Sequence, residues 1–297
     1  MPAADSSEPR GAAAGRLFVV STPIGNLGDI TRRAVEVLSS AQAVAAEDTR
    51  RTRALLSHLG IGNKPVLALH AHSSDAAVAA VIERLLAGED VALVTDAGTP
   101  AVSDPGRALV TRARARGVGI YVIPGPSAVT AAVALSGLVE GPFTFLGFWP
   151  RQASARRDAV QRVAKSREPV VFFESPQRLS ETLDELAREL PERAAFVGRE
   201  LTKLHEEGLA GALRDLASPE RSWRGEIVAV VAPSPVEPEA DAERRELVFA
   251  SLRAAIEAGA SPSRIARGLA EASGLPRREL YERALELQRE LGPSERE

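Results

Sequence analysis

Two short stretches carry the side chains best suited to chemistry. Glu47-Asp48-Thr49-Arg50 sets two carboxylates, a hydroxyl and a guanidinium in four consecutive residues. TDAGTPAVSDPG (Thr95 to Gly106) spreads Asp96 and Asp104 through a twelve-residue loop. Each follows a short apolar run. Such a loop is long for a strand-to-helix connection. Gly98 and Gly106 permit positive φ or close approach of backbone to a ligand. Its acids disfavour a bare phosphate and favour a cation, or a set of hydroxyls and amines. Glu47 and Asp48 have two readings, as helix-capping acids or as proton acceptors at a cleft. His70 and His72 flank Ala71 like a metal pair. With no cysteine and no carboxylate triad in register, a histidine that positions substrate is preferred to a metal site, and no metal is expected.

A third stretch, STPIGNLGD (Ser21 to Asp29), follows the apolar run from Leu17 and precedes a helical pattern. Strand, glycine-bearing turn and helix is how many nucleotide-binding proteins begin. Here the spacing is Gly-x-x-Gly behind Pro23, which is neither a dinucleotide fingerprint nor a Walker loop. PGPS (Pro124 to Ser127) closes the set.

These loops must be held by alternating elements. Strands are expected at 17–21, 43–47, 65–70, 90–95 and 119–123, with helices at 29–40, 49–59, 74–87, 106–116 and 127–138. Thr31 or Asp29 caps the first helix. Alternation of this kind implies a parallel sheet covered on both faces. Ligands then bind beyond the carboxyl ends of the strands, where these loops lie. The pattern resets near Gly141-Pro142. Strands at 143–148, 169–174, 194–199 and 226–232, with helices at 151–167 and 176–190, describe a second α/β domain with more antiparallel pairing. The expected division is a disordered tail over 1–15, domains over 16–139 and 140–232, a Pro-rich acidic linker over 233–242, and a helical domain over 243–297. The last two of its three helices are joined by Gly274-Leu275-Pro276 in a helix-turn-helix-like pair.

The 297 residues suffice for two ordinary domains. Apolar content of 44% with 26% charge fits a soluble globular chain, and no apolar run is long enough to span a membrane. The first residues lack the apolar core of a signal peptide. The absence of cysteine excludes disulfides and thiolate chemistry and fits a reducing cytoplasm. A net charge of −3 argues mildly against a general nucleic-acid binder. Local charge differs, because Arg151, Arg156, Arg157, Arg162 and Lys165 crowd one expected helix.

TPIGNLGDITRRAVEVL, AEDTRRT, LVTDAGTPAVSDPG, PGPSA, GFWPR, FFESPQRL, VGRELTKLHEE and GEIV occur in an order that resembles the ribosomal RNA small subunit methyltransferase I family of the tetrapyrrole methylase superfamily. Trp149 and Gln152 stand where that pattern has Leu and Lys. The resemblance implies a fold of two α/β domains of tetrapyrrole-methylase type, with the active site in the cleft between them, plus a small C-terminal helical domain. It implies S-adenosylmethionine as methyl donor, the ribose 2′-hydroxyl of a cytidine in the decoding region of 16S ribosomal RNA as acceptor, and a homodimer. Cofactor contacts are implied at Pro23, Asp96, Gly98, Thr99, Val102, Asp104 and Ser127. The second domain would add Phe173, Glu174, Leu201, Glu226 and Ile227. The catalytic candidates are Asp48, Glu47 and His70 as bases, with Arg50 and Lys203 holding phosphates or the base. Arg151, Arg156, Arg157, Arg162 and Lys165 are the candidate RNA contacts. Phe148 and Trp149 are read either as base-stacking or as core residues. The competing readings are a relative that methylates a small molecule or a protein side chain, and a non-catalytic cofactor-binding regulator. The basic stretch and the added helical domain favour RNA.

Overall fold

The computed structural model describes residues 14–70, 74–218, 222–235 and 238–290, with side chains left out over 238–243. Residues 1–13 of the expected tail over 1–15, together with His72, lie outside the described residues. Residues up to Ser234 form one compact unit, and a second unit begins at Pro235.

The first lobe runs β1 (Arg16–Val20), α1 (Arg32–Ser40), β2 (Ala43–Ala46), α2 (Thr49–His58), β3 (Val66–Ala68), α3 (Asp75–Leu86), β4 (Val91–Val94), α4 (Arg107–Ala115), β5 (Gly119–Ile123) and α5 (Ala128–Ser136). Its five strands are all parallel, in the order β3-β2-β4-β1-β5. Along β4, Val91 and Leu93 face a core with Leu17, Ile82, Leu85 and Leu109. Ala92 and Val94 face an opposite core with Val20, Leu38, Val44 and Leu56. Burial on both faces is why the inner strands β2 and β4 read as unbroken apolar runs. Thr31, in extended conformation, accepts a hydrogen bond from the Ala34 amide at 3.1 Å and starts α1, which buries Ala34 and Leu38. The lobe begins one residue before the expected boundary, since the Gly15 amide donates to the Leu85 carbonyl at 2.7 Å.

The second lobe comprises β6 (Thr144–Phe148), α6 (Ala153–Lys165), β7 (Val170–Glu174), α7 (Pro176–Glu189), β8 (Ala194–Arg199), β9 (Glu207–Ala212), α8 (Leu213–Leu216) and β10 (Ile227–Val231). The sheet order is β6-β7-β10-β8-β9, with β6 parallel to β7 and the other pairs antiparallel. Strand β9, EGLAGA, is absent from the sequence reading because Gly and Ala carry little strand preference. Its small residues serve the ring of Phe196 on β8, which would crowd a Cβ at Gly208 to 3.0 Å.

Helix α5 reaches across the expected division at 139. It lies in the first half of the chain but packs against β7, β8, β9 and β10 of the second sheet. Val129 and Ala132 join Ile24, Val171, Phe196, Leu201, Val228 and Val230 in one core. This shared core fixes the two lobes to each other. Helix α5 (AVTAAVALS) buries Val129 and Ala132 in this core and leaves Leu135 exposed on its other side.

At the head of α7, the Glu174 carboxylate is fully buried. It accepts hydrogen bonds from the Ser175 amide (2.6 Å), the Thr182 hydroxyl (3.1 Å) and Arg178. Arg178 also donates to the carbonyls of Trp149 and Pro150, so one ion pair locks β6, β7 and α7 together.

The C-terminal unit contains α9 (Pro238–Glu257), α10 (Pro262–Ser273) and α11 (Arg277–Glu290) around Leu252, Ala266, Leu275, Leu280 and Leu287. Helix α9 starts inside the expected linker, so Pro238 opens a helix rather than continuing an extended segment. Gly274, at φ 72°, ends α10 in the left-handed conformation.

Because Glu174 is charged and enclosed, removing its partner strands the charge. Arg178→Ala is expected to lower stability in urea denaturation by about 3–5 kcal/mol.

Candidate active site

The carboxyl ends of β1, β2, β4 and β5 meet the second lobe around a cleft of about 400 Å³. The turn after β1 fixes the long loop. Thr22 and Gly98 exchange backbone hydrogen bonds of 2.9 and 3.0 Å. The Thr22 hydroxyl donates to the Thr95 carbonyl at 3.0 Å, and the Ser21 and Thr99 hydroxyls lie 2.9 Å apart. Gly98 takes φ 83°, a conformation that glycine adopts without steric cost. Ala101 and Ser103 also take positive φ, as do Glu200 and Thr202 in the segment after β8.

Around Thr95, three acids converge on the cleft. Its hydroxyl donates to Glu47 at 2.8 Å. Asp96 accepts from the Asp48 amide at 3.0 Å and pairs with Arg51 at 3.3 Å. Burial pushes the Asp104 carboxyl up to about 6; hydrogen bonding with the Thr95 side chain opposes this, and the charges of Glu47 and Asp96 add to it. Glu47, Asp96 and Asp104 against Arg51 leave an acid excess at this end. Opposite stands an apolar wall of Phe173, Leu201, Ile227 and Val228.

The structure sorts the expected site residues. Asp96, Gly98, Thr99, Val102, Asp104 and Ser127 line the cleft from the first lobe, and Phe173, Glu174, Leu201, Glu226 and Ile227 from the second. Since the Glu174 carboxylate is enclosed, only the backbone of that residue is available to a ligand. Pro23 is buried beneath the turn and does not line the cleft.

Among the catalytic candidates, Glu47 lines the cleft and Asp48, Arg50, His70 and Lys203 do not. Asp48 caps α2 by accepting from the Arg50 amide at 2.8 Å, and pairs with the Arg50 guanidinium at 3.2 Å. Those bonds hold its carboxyl below the usual range, which makes it a weaker base. His70 is exposed beyond β3. Burial lowers the Lys203 ammonium, but hydrogen bonds to Glu200 (2.8 Å) and Glu226 (3.1 Å) outweigh it and raise its pKa. Lys203 thus braces Glu226 at the cleft edge, and its stem covers Gly25, where a Cβ would collide with it. Arg51 is the residue that the sequence reading missed. It is the second arginine of AEDTRRT and reaches Asp96, because the Asp48 cap captures the first.

Of the basic residues on and before α6, Arg151, Arg157, Arg162 and Lys165 are exposed. Arg156 instead turns to α7, bridging Glu181 at 2.7 Å and Glu185 at 2.9 Å. Trp149 is buried beside Phe172, whereas Phe148 is exposed on the cleft rim. Among the described residues, no group of His, Asp and Glu could hold a metal ion, and no helix is long and apolar enough to cross a membrane.

Two α/β lobes with an acid-ended cleft at their junction define a class. Residues 16–217 match the tetrapyrrole (corrin/porphyrin) methylases, and residues 249–288 match the RsmI C-terminal HTH domain. The methyltransferase CobJ superposes with a TM-score of 0.58 at 20% identity, over 76% of this chain and 98% of its own. A diphthine synthase superposes with a TM-score of 0.55 at 19% identity, over 73% and 89%. These two share the fold. More narrowly, the chain belongs to the ribosomal RNA small subunit methyltransferase I family. It is 43% identical to the member from Xylella fastidiosa (strain Temecula1 / ATCC 700964), over 90% of this chain and 98% of that protein. It is 37% identical to the member from Escherichia coli O157:H7, over 92% and 96%.

Asp104 supplies a pH test. Below about pH 4 both folded and unfolded chains hold its proton. As pH rises toward about 6, the unfolded chain releases the proton while the folded chain keeps it, so stability falls across that window. Asp104→Asn is expected to raise the melting temperature of the ligand-free protein by about 2–4 °C at pH 8 and to leave it unchanged at pH 4.

Proposed function

We propose that this protein transfers a methyl group from S-adenosylmethionine to the ribose 2′-hydroxyl of a cytidine in 16S ribosomal RNA, within the small ribosomal subunit. The observation that carries this reading is the acid excess of Glu47, Asp96 and Asp104 at one end of a cleft whose opposite wall is apolar, in a chain of the ribosomal RNA small subunit methyltransferase I family. The cavity is large enough for a nucleoside-sized ligand. Its chemistry fits a molecule with a cationic centre at one end and a flat ring at the other. Bound there, S-adenosylmethionine supplies an electrophilic methyl group on a sulfonium.

The chain's own task is then to align the acceptor and take its proton. A hydroxyl is a weak nucleophile, and alignment alone accounts for up to about 7–11 kcal/mol of such barriers. Of the candidate bases, Glu47 is the one that faces the cleft. The Thr95 hydroxyl fixes one of its oxygens and leaves the other for the ribose proton. Asp96 and Asp104 hold the cation. Arg51 restrains Asp96 and sits where an approaching phosphate would pass. Arg151, Arg157, Arg162 and Lys165 form the RNA-facing surface, and the acceptor must leave its base stack to enter a cleft of this depth. The resemblance also supports a homodimer working in the cytoplasm, where ribosomal subunits assemble.

Mass spectrometry of 16S ribosomal RNA from cells lacking the gene is expected to show loss of one 2′-O-methylcytidine, restored by the wild-type gene. An intact methyl in the deletion strain contradicts the assignment. In a methyl-transfer assay on purified small subunits, Glu47→Gln is expected to lower kcat by about 10²–10⁴-fold. Asp48→Asn, which removes a capping charge, should cost less than tenfold.

A further inference from the structure

Strand β6 ends in an irregularity that the proposed reaction has not used. Between the pairs Phe145–Val171 and Phe148–Phe173, two residues of β6, Leu146 and Gly147, stand opposite one, Phe172, on β7. The extra residue is a bulge, and Gly147 within it takes φ 73°. Bulges re-aim side chains next to active sites. This one sends Trp149 into the core and Phe148 outward, where it stays 59% exposed on the cleft rim. Phe148 is nevertheless held. Its ring meets Phe173 edge-on at 5.4 Å, and Phe173 is held in turn by Phe145 at 5.0 Å.

Across the rim, Val102 from the acidic loop is 40% exposed. The two segments touch, since a Cβ on Gly147 would lie 3.0 Å from the Ser103 hydroxyl. Phe148 and Val102 therefore present an exposed apolar pair at the mouth, outside the buried Ile227–Val228 wall. Arg151 and α6 follow immediately in the chain. An aromatic face beside basic side chains is the combination that grips an unstacked base.

We propose that Phe148 is the stacking platform for the base of the nucleotide that accepts the methyl group. This inference rests on the RNA-methylation reading. It assigns the outward-facing ring to the acceptor and leaves the inner wall to the adenine of the donor.

The test compares Phe148→Ala, Phe148→Leu and Phe148→Tyr with the wild type, by steady-state methylation of small subunits from a deletion strain and by calorimetric binding of S-adenosylhomocysteine. The Ala variant is expected to lose about tenfold to hundredfold in kcat/KM for the subunit. The Leu variant should stay impaired, and the Tyr variant should stay within about threefold of wild type. All three should bind S-adenosylhomocysteine within twofold of wild type, which also reports that they fold. Full activity of the Ala or Leu variant overturns the inference, and so does a parallel loss of S-adenosylhomocysteine binding, which would place the adenine on Phe148. A wild type that transfers no methyl to the subunits overturns the functional reading and this inference with it.

Discussion

Like charges held close together must be balanced, and the site is organised around that requirement. Glu47, Asp96 and Asp104 are brought to the same mouth by two adjacent parallel strands, with Thr95 between them. The unliganded protein meets the repulsion in two ways. Arg51 neutralises part of it, and Asp104 keeps its proton up to about pH 6. Both devices leave room for a cationic ligand to complete the balance. The loop that carries two of the acids cannot drift apart, because the Thr22–Gly98 backbone exchange ties it to the first strand.

The second lobe supplies the opposite chemistry and has to be held rigidly in place. That is the task of the core shared by Ile24, α5 and the second sheet. Lys203 reinforces it from the other side, with its stem over Gly25 and its ammonium between Glu200 and Glu226. The turn STPIGNLGD is committed to structural contacts on both sides. It docks the acidic loop on one side and the second lobe on the other.

Where local pattern decides structure, the sequence was readable. The alternating elements of the first lobe, the Thr31 cap and the loops that reach the cleft follow from apolar runs and from glycine- and proline-bearing stretches. The family resemblance added the cofactor and the individual cleft positions in both lobes. What escaped depends on contacts between distant residues. Strand β9 pairs along β8 with Gly208 under the Phe196 ring, and α5 packs on the second sheet. A row of arginines does not reveal that Arg156 meets Glu181 and Glu185 on α7. Nor does AEDTRRT reveal that Asp48 captures Arg50 and leaves Arg51 to the cleft.

The central claim is that the acid cluster reads the positive charge of the donor. Calorimetric titration of the wild type with S-adenosylmethionine and with S-adenosylhomocysteine, at intervals from pH 5 to pH 7.5, tests it directly. The two ligands differ in the sulfonium charge and its methyl. As Asp104 ionises through about 6, S-adenosylmethionine should bind progressively more tightly than its neutral product. A constant ratio of the two affinities across that range would contradict the account.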